Sequence, residues 1–175
     1  GSDIKLLFGS LCLKRTCCLK TKDKTMRVVV QRVSQAMVIV EENTVGEIHH
    51  GLLVLLGIEH EDDTTDVDWL CNKILKLRIF DDGNSDMNLS VSDIDGQILV
   101  VSQFTLHAST KKGTRPSFIK AARPEQAEAL YKEFNVRMSE LLGTPVQTGV
   151  FGAMMDVQLV NDGPVTIIID SKKRE

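Results

Sequence analysis

Ile98-Leu99-Val100-Val101-Ser102-Gln103-Phe104-Thr105-Leu106 is the stretch around which the chain is organised. Ile98 to Val101 is a short apolar run of β-formers, which predicts a core strand. The run turns polar at Ser102 with no Gly or Pro to break it. Polar side chains are thus delivered at the end of a buried strand, where sheet proteins tend to place their sites. The plain alternative is a strand end that simply meets solvent.

On the N-terminal side, Gly51 to Ile58 is apolar on both faces and reads as a central buried strand. Arg27 to Val33 and Ala36 to Glu41 predict two further strands, Asn43 to Gly46 a turn, and Glu47 to His50 a third strand. Val67, Leu70, Cys71, Ile74 and Leu77 fall at helical spacing. Thr64 or Thr65 would cap that helix, with Asp66 and Asp68 in the first turn, where acids suit the helix dipole. Asp81 to Gly96 reads as a long polar loop. Its Asp and Asn content invites comparison with a calcium loop, but an EF-hand needs Gly at position 6 and Glu at position 12. Counted from Asp81, those positions hold Asp86 and Ser92, so no metal site is expected. Pro124 opens a second helix whose buried face is Ala127, Leu130, Tyr131, Phe134, Met138, Leu141 and Leu142, and Gly143 ends it. Val146 to Phe151, Asp156 to Val160 and Val165 to Asp170 predict the last strands. This order is not a βαβ alternation. It predicts an α+β fold with a largely antiparallel or mixed sheet and two flanking helices.

The chain has 175 residues, 42% of them hydrophobic, which fits one domain. No apolar run approaches the ~20 residues that span a bilayer. Residues 1–25 stand apart. Gly1-Ser2 has the form of a tag-cleavage scar, and the segment carries six Lys+Arg against two Asp. It is expected to be a tag remnant or a disordered N-terminal extension ahead of a single domain, residues 26–175; a basic, acid-poor targeting peptide is the other option. That domain has 15 Lys+Arg against 22 Asp+Glu, which argues against broad, non-specific nucleic-acid binding. Yet Gly96 to Pro124 holds no acid and contains Lys111, Lys112, Arg115, Lys120 and Arg123. A local phosphate contact is expected there. Cys71 is the domain's one cysteine, so no disulfide framework exists and a reducing compartment fits.

The usual hydrolase signatures are missing: no G-x-S-x-G, H-E-x-x-H, C-x-x-C or P-loop occurs. His49 and His50 would face opposite sides of a strand, and His60 has no evident partner. On an extended chain Thr105 and His107 would share a side, the simplest nucleophile–base arrangement. The alternative, preferred here, makes Thr105 a hydrogen-bonding residue and His107 a loop side chain.

A second stretch, Asn161-Asp162-Gly163-Pro164-Val165-Thr166, stands near the C-terminus. With Ser102 to Leu106 it resembles the two signature motifs of the D-aminoacyl-tRNA deacylases, first known as D-tyrosyl-tRNA deacylases. Gln31-Arg32-Val33, Arg78-Ile79-Phe80, Met87-Asn88-Leu89, Arg115-Pro116-Ser117-Phe118 and Phe151-Gly152-Ala153-Met154-Met155 match as well, in the family's order from Met26 to about Asp170. Ser102 and Phe104 resemble the D-specific branch; related animal-type enzymes carry a Pro-Gln-Ala-Thr type of motif. His107 and Ser109 stand where the family varies.

The resemblance implies a barrel-like sheet in a cytoplasmic homodimer, with the active site at the subunit interface and no cofactor. It implies hydrolysis of D-aminoacyl-tRNA as chiral proofreading in translation. Ser102, Gln103, Phe104 and Thr105 would form the catalytic pocket. Ester hydrolysis builds negative charge on the carbonyl oxygen, and a single backbone donor to such a charge is worth roughly 2.7–4 kcal/mol; unpaired amides near Phe104 and Thr105 could supply it. Gly163 and Pro164, with a cis peptide in the family, would enter the partner's pocket as the chiral filter. Their carbonyls would hold the substrate's α-amino group and leave no room for an L side chain. Glycine has nothing to reject, so glycyl-tRNA is an expected second substrate. Arg32 would brace that loop. From charge alone, Lys111, Lys112 and Arg115 are expected to contact tRNA phosphates. Two rivals remain: a nucleic-acid-binding protein on the same fold, using residues 1–25, and a small-ester or peptide hydrolase using Thr105 and His107.

Overall fold

The computed structural model describes residues 25–84 and 87–173. The expected N-terminal extension lies outside the described residues up to position 24. In chain order the elements are β1 (Arg27–Val40), β2 (Asn43–Ile48), β3 (Gly51–Gly57), α1 (Thr64–Leu75), β4 (Phe80–Asp81), β5 (Met87–Leu89), β6 (Gln97–Ser102), a 3-10 helix (Phe104–His107), α2 (Pro124–Leu142), β7 (Gln147–Thr148) and β8 (Asp156–Asp170).

The main sheet runs β2-β1-β3-β6-β7, with β8 on the other edge of β1. It is mixed: β3–β6 and β6–β7 are parallel, the other pairings antiparallel. The sheet curls almost into a barrel, because β2 comes back against β7. A Cβ on Gly46 would lie 2.5 Å from the Thr148 carbonyl oxygen, so only glycine permits this approach. The expected α+β fold, a barrel-like mixed sheet with two flanking helices, is the one observed.

Strand alternation divides the core in two. Val33, Ala36, Val38, Ile48, Leu53, Leu99 and Val101 fill the barrel. Val28, Val30, Leu52, Val54, Leu56, Ile98 and Val100 face outward under Leu70 and Ile74 of α1 and Phe134 and Met138 of α2. The Gly51 to Ile58 run is apolar on both faces because β3 is the wall between these layers. No helix among the described residues is long and apolar enough to cross a membrane.

Several local expectations are corrected. The two strands read before and after Ser34-Gln35 are one strand, β1; the exposed polar pair marks register shifts against β8 rather than a strand end. Likewise β8 continues through Asn161 to Pro164. The first hairpin turns at Glu41-Glu42, with φ of 47° and 66°, and not at Asn43 to Gly46. Both central φ values of such a turn are positive, a geometry that favours Asn and Gly, so two glutamates gave no signal. The cap of α1 is Asp63: it accepts from the Thr65 amide at 2.8 Å while Asp66 accepts from the Asp63 amide at 3.1 Å, a reciprocal capping box. The polar loop contains the β4–β5 hairpin. The strand expected over Val146 to Phe151 contracts to β7.

Thr25, grouped on sequence with the extension, is buried in the fold. Its amide donates to Glu59 Oε2 at 3.1 Å, and its hydroxyl accepts from the Lys172 amide at 3.1 Å. Ser171 closes the same seam, donating to Asp66 Oδ1 at 2.6 Å and accepting from the Met26 amide at 3.2 Å.

Candidate active site

After Ser102 the chain stays anchored to β3 through the Gln103 amide, which donates to the Leu56 carbonyl at 2.8 Å. It then coils into the 3-10 helix instead of ending as an extended strand. The helix's first bond is from the Leu106 amide to the Gln103 carbonyl at 3.2 Å. The amides of Phe104 and Thr105 precede it, so they have no carbonyl within the helix to donate to. A helix start, rather than a strand end, thus accounts for their lack of partners within the helix. The turn is pinned from two sides. Arg27 Nη1 donates to the Leu106 carbonyl at 3.2 Å, and His107 Nδ1 lies 3.3 Å from Glu59 Oε1.

Ser102, Gln103 and Phe104 border a pocket of about 330 Å³. Its remaining lining is almost wholly apolar: Leu56 and Ile58, Ala121 and Ala122, Pro124 and Ala127 at the start of α2, and Phe151-Gly152. The Phe104 ring is 58% exposed and packs edge-on against Phe118, centroids 5.1 Å apart. Thr105 is exposed, outside the pocket lining, and its hydroxyl accepts from Gln103 Nε2. Phe118 and Phe151-Gly152 sat in matching stretches but were not read as site residues. The alanines carry no chemical signal; their small size opens the space.

The nucleophile–base pairing is not formed. His107 is 4% exposed and turned to Glu59, so it is also not the loop side chain expected in the alternative. Residues two apart share a side only on an extended chain, and here the chain is helical. Glu59, 48 positions away, offered no sequence cue. Cys71 is buried, and burial pushes its thiol up to about 12, leaving it inert.

At the other end of the sheet, the Gly163-Pro164 peptide is cis, and Gly163 has φ of 116°. A Cβ there would fall 2.8 Å from Arg32 Nη2. Arg32 is no exposed strand cation: its side chain is 12% exposed, its Nε lies 3.1 Å from Asp162 Oδ2, and its Nη1 donates to the Ile79 carbonyl. Asn161 Nδ2 donates to the carbonyls of Arg32 and Val165 at 2.9 and 3.0 Å, cinching the loop. His50 stands 3.8 Å from Asp162 and edge-on to Phe80.

These two constellations do not meet in one chain. Arg32 pairs with Leu52 of β3, whereas Ser102 pairs with Leu56. The four intervening steps correspond to about 13 Å along the strand. Lys111, Lys112 and Arg115 are exposed on a loop closed by reciprocal Ser109–Ser117 backbone bonds of 2.8 and 2.9 Å. Lys111 alone of the three borders a polar cleft that His107, the last residue of the 3-10 helix, also lines.

Structural likeness bears on the fold alone. The fold is shared with a structure titled a probable eukaryotic D-amino acid tRNA deacylase, at TM-score 0.73 and 20% identity over 83% of this chain and 99% of that one. The family model described as D-Tyr-tRNA(Tyr) deacylase matches residues 29–170, and the chain belongs to that family. The D-aminoacyl-tRNA deacylase of Flavobacterium johnsoniae is 59% identical over 150 residues, 86% of this chain and all of the relative. That of Opitutus terrae is 60% identical over the same length and coverage. A solved structure of the c-Myc DNA Unwinding Element Binding Protein is similar at 41% identity and TM-score 0.77, covering 82% of this chain and 97% of the other.

Proposed function

We propose that the protein cleaves the ester of D-aminoacyl-tRNA, and of mischarged glycyl-tRNA, in a site assembled from two copies of the chain in the cytoplasm. The activity itself follows from family membership: the chain is a D-aminoacyl-tRNA deacylase, an ester hydrolase. The observation that carries the mechanism is the pair of amides, of Phe104 and Thr105, left without helix partners beside the Ser102-Gln103-Phe104 pocket. In this reading they stabilise the oxyanion of the tetrahedral intermediate. An aminoacyl ester is already activated, so no side-chain nucleophile is required. Thr105 orients Gln103 at the rim.

The partner copy supplies the chiral filter. Gly163 and Pro164 present backbone carbonyls to the α-amino group, and Arg32 with Asp162 holds them in place. Selection by backbone atoms reads handedness without reading side-chain identity, which accounts for a broad D-amino-acid range and for acceptance of glycine. Lys111, Lys112 and Arg115 lie on the face that would meet tRNA phosphates.

The test compares D-Tyr-tRNA with L-Tyr-tRNA for the wild type and Thr105→Ala. Rapid release from the D ester alone, kept within about tenfold in the variant, is expected. Loss of the D activity in Thr105→Ala would return Thr105 to a nucleophilic role. Absence of D preference would sink the filter. A second reading is favoured by the likeness to the DNA unwinding element binding protein: DNA binding on this fold. It predicts tight, salt-sensitive binding of single-stranded DNA that is lost on removing residues 1–24.

A further inference from the structure

We infer that the polar cleft beside the pocket seats the phosphodiester backbone of the tRNA's single-stranded 3′ end; the inference rests on the deacylase reading above. The cleft, about 450 Å³, is bordered by Arg27, Glu59, His107, Lys111, Lys120 and Lys173. It adjoins the pocket at two places in the chain. Phe104 lines the pocket, and His107, one turn further along the same 3-10 helix, lines the cleft. Ala121 lines the pocket, and its neighbour Lys120 lines the cleft. A polymer whose terminal nucleoside occupies the pocket must leave it over a neighbouring surface. This surface is the cationic one.

The charges around the cleft are not equivalent. Glu59 is 3% exposed and already committed, one oxygen accepting from the Thr25 amide at 3.1 Å and the other facing His107 Nδ1 at 3.3 Å. Arg27 is bound to Asp170 through bonds of 2.7 and 3.0 Å. That leaves Lys111, Lys120 and Lys173, none of which forms an ion pair among the described residues. Three ammonium groups without acidic partners around one hollow repel one another until an anion is shared between them. Lysine is a flexible point charge that contacts phosphate without reading bases. That suits an enzyme acting on many tRNAs. The assignment adds Lys120 and Lys173 to the surface and separates Lys111 from Lys112 and Arg115, which do not border the cleft.

The test uses two D-tyrosyl esters, one of tRNA and one of adenosine, which lacks phosphate. In the double variant Lys120→Ala/Lys173→Ala, kcat/KM for the tRNA ester is expected to fall about tenfold, mainly through KM. The salt dependence of log(kcat/KM) should become shallower by about one to two, while the loss spares the adenosine ester. Binding of a labelled single-stranded RNA ending in CCA provides a readout independent of turnover and should weaken by the same factor. An unchanged tRNA ester and RNA affinity, or equal loss on both esters, would overturn the proposal. So would inorganic phosphate competing as well as the RNA does, which would mark a free-anion site. If the wild type cleaves neither ester, the deacylase reading fails, and the RNA binding still decides the cleft.

Discussion

The two ends of the sheet are built on opposite plans. At the β6 end the structure makes a hollow: small alanines and the rings of Phe104 and Phe151 surround empty space, with Ser102 and Gln103 at its edge. At the Gly163-Pro164 end it makes an exposed loop, held by the Arg32–Asp162 ion pair and the two bonds from Asn161. The difference teaches what each end can offer: one provides space, the other a braced protrusion. In the proposed two-copy site, the hollow and the protrusion, which lie at opposite ends of β3, would come from different copies of the chain.

The most disruptive test of this contrast is Gly163→Ala. Its φ of 116° and the 2.8 Å approach to Arg32 leave no room for a methyl group. A strained residue of this kind costs on the order of 1–3 kcal/mol. Single-turnover cleavage of D-Tyr-tRNA should drop more than about a hundredfold, because the loop must shift. Full activity would mean the loop takes no part in the site. Next comes Arg32→Ala, which leaves Asp162 without its guanidinium. A loss of some tens of fold is expected, with partial recovery of D over L discrimination in Arg32→Lys, since lysine keeps the charge without the planar fork. Phe104→Ala should raise KM about tenfold by removing one pocket wall. Its ring is 58% exposed, so the unfolding midpoint should move little; a large drop would make the ring structural.

The smallest effect concerns stability alone. Burial raises the Asp62 carboxyl from 3.8 to about 6, against the lowering effect of the Glu59 amide. A carboxyl raised on folding favours the native state below its unfolded value, and this contribution is lost as pH rises through 6. Asp62→Asn should therefore stabilise the protein by about 2 kcal/mol above pH 7 and leave it unchanged below pH 4. Urea unfolding at the two pH values would read the difference, and equal effects at both would contradict it.

Much of this was legible in the residues. Gly51 to Ile58 announced a strand buried on both faces, and the helical stripes of α1 and α2 were plain. The break at Ser102 marked the pocket. What failed to show has physical reasons. Strand continuity through Ser34-Gln35 and Asn161 to Pro164 depends on pairing partners far along the chain, which local composition does not carry. The coiling of Phe104 to His107 is imposed by Arg27 and Glu59, both distant in sequence. Thr105 and His107 thus looked like a pair and are not one. Part of the pocket's apolar lining comes from Ala121, Ala122 and Ala127, whose contribution is the volume they leave open.

The seam at Thr25 and Lys172 has a consequence of its own. The chain enters and leaves the described fold at two hydrogen-bonded residues, so a short linker across them would close the backbone into a ring. New ends could then be opened at the exposed turn around Gly83 (φ 87°), where nothing lies within 4 Å of an added Cβ. A circular permutant made this way would keep both ends of the sheet intact while moving its termini away from the lysine cleft.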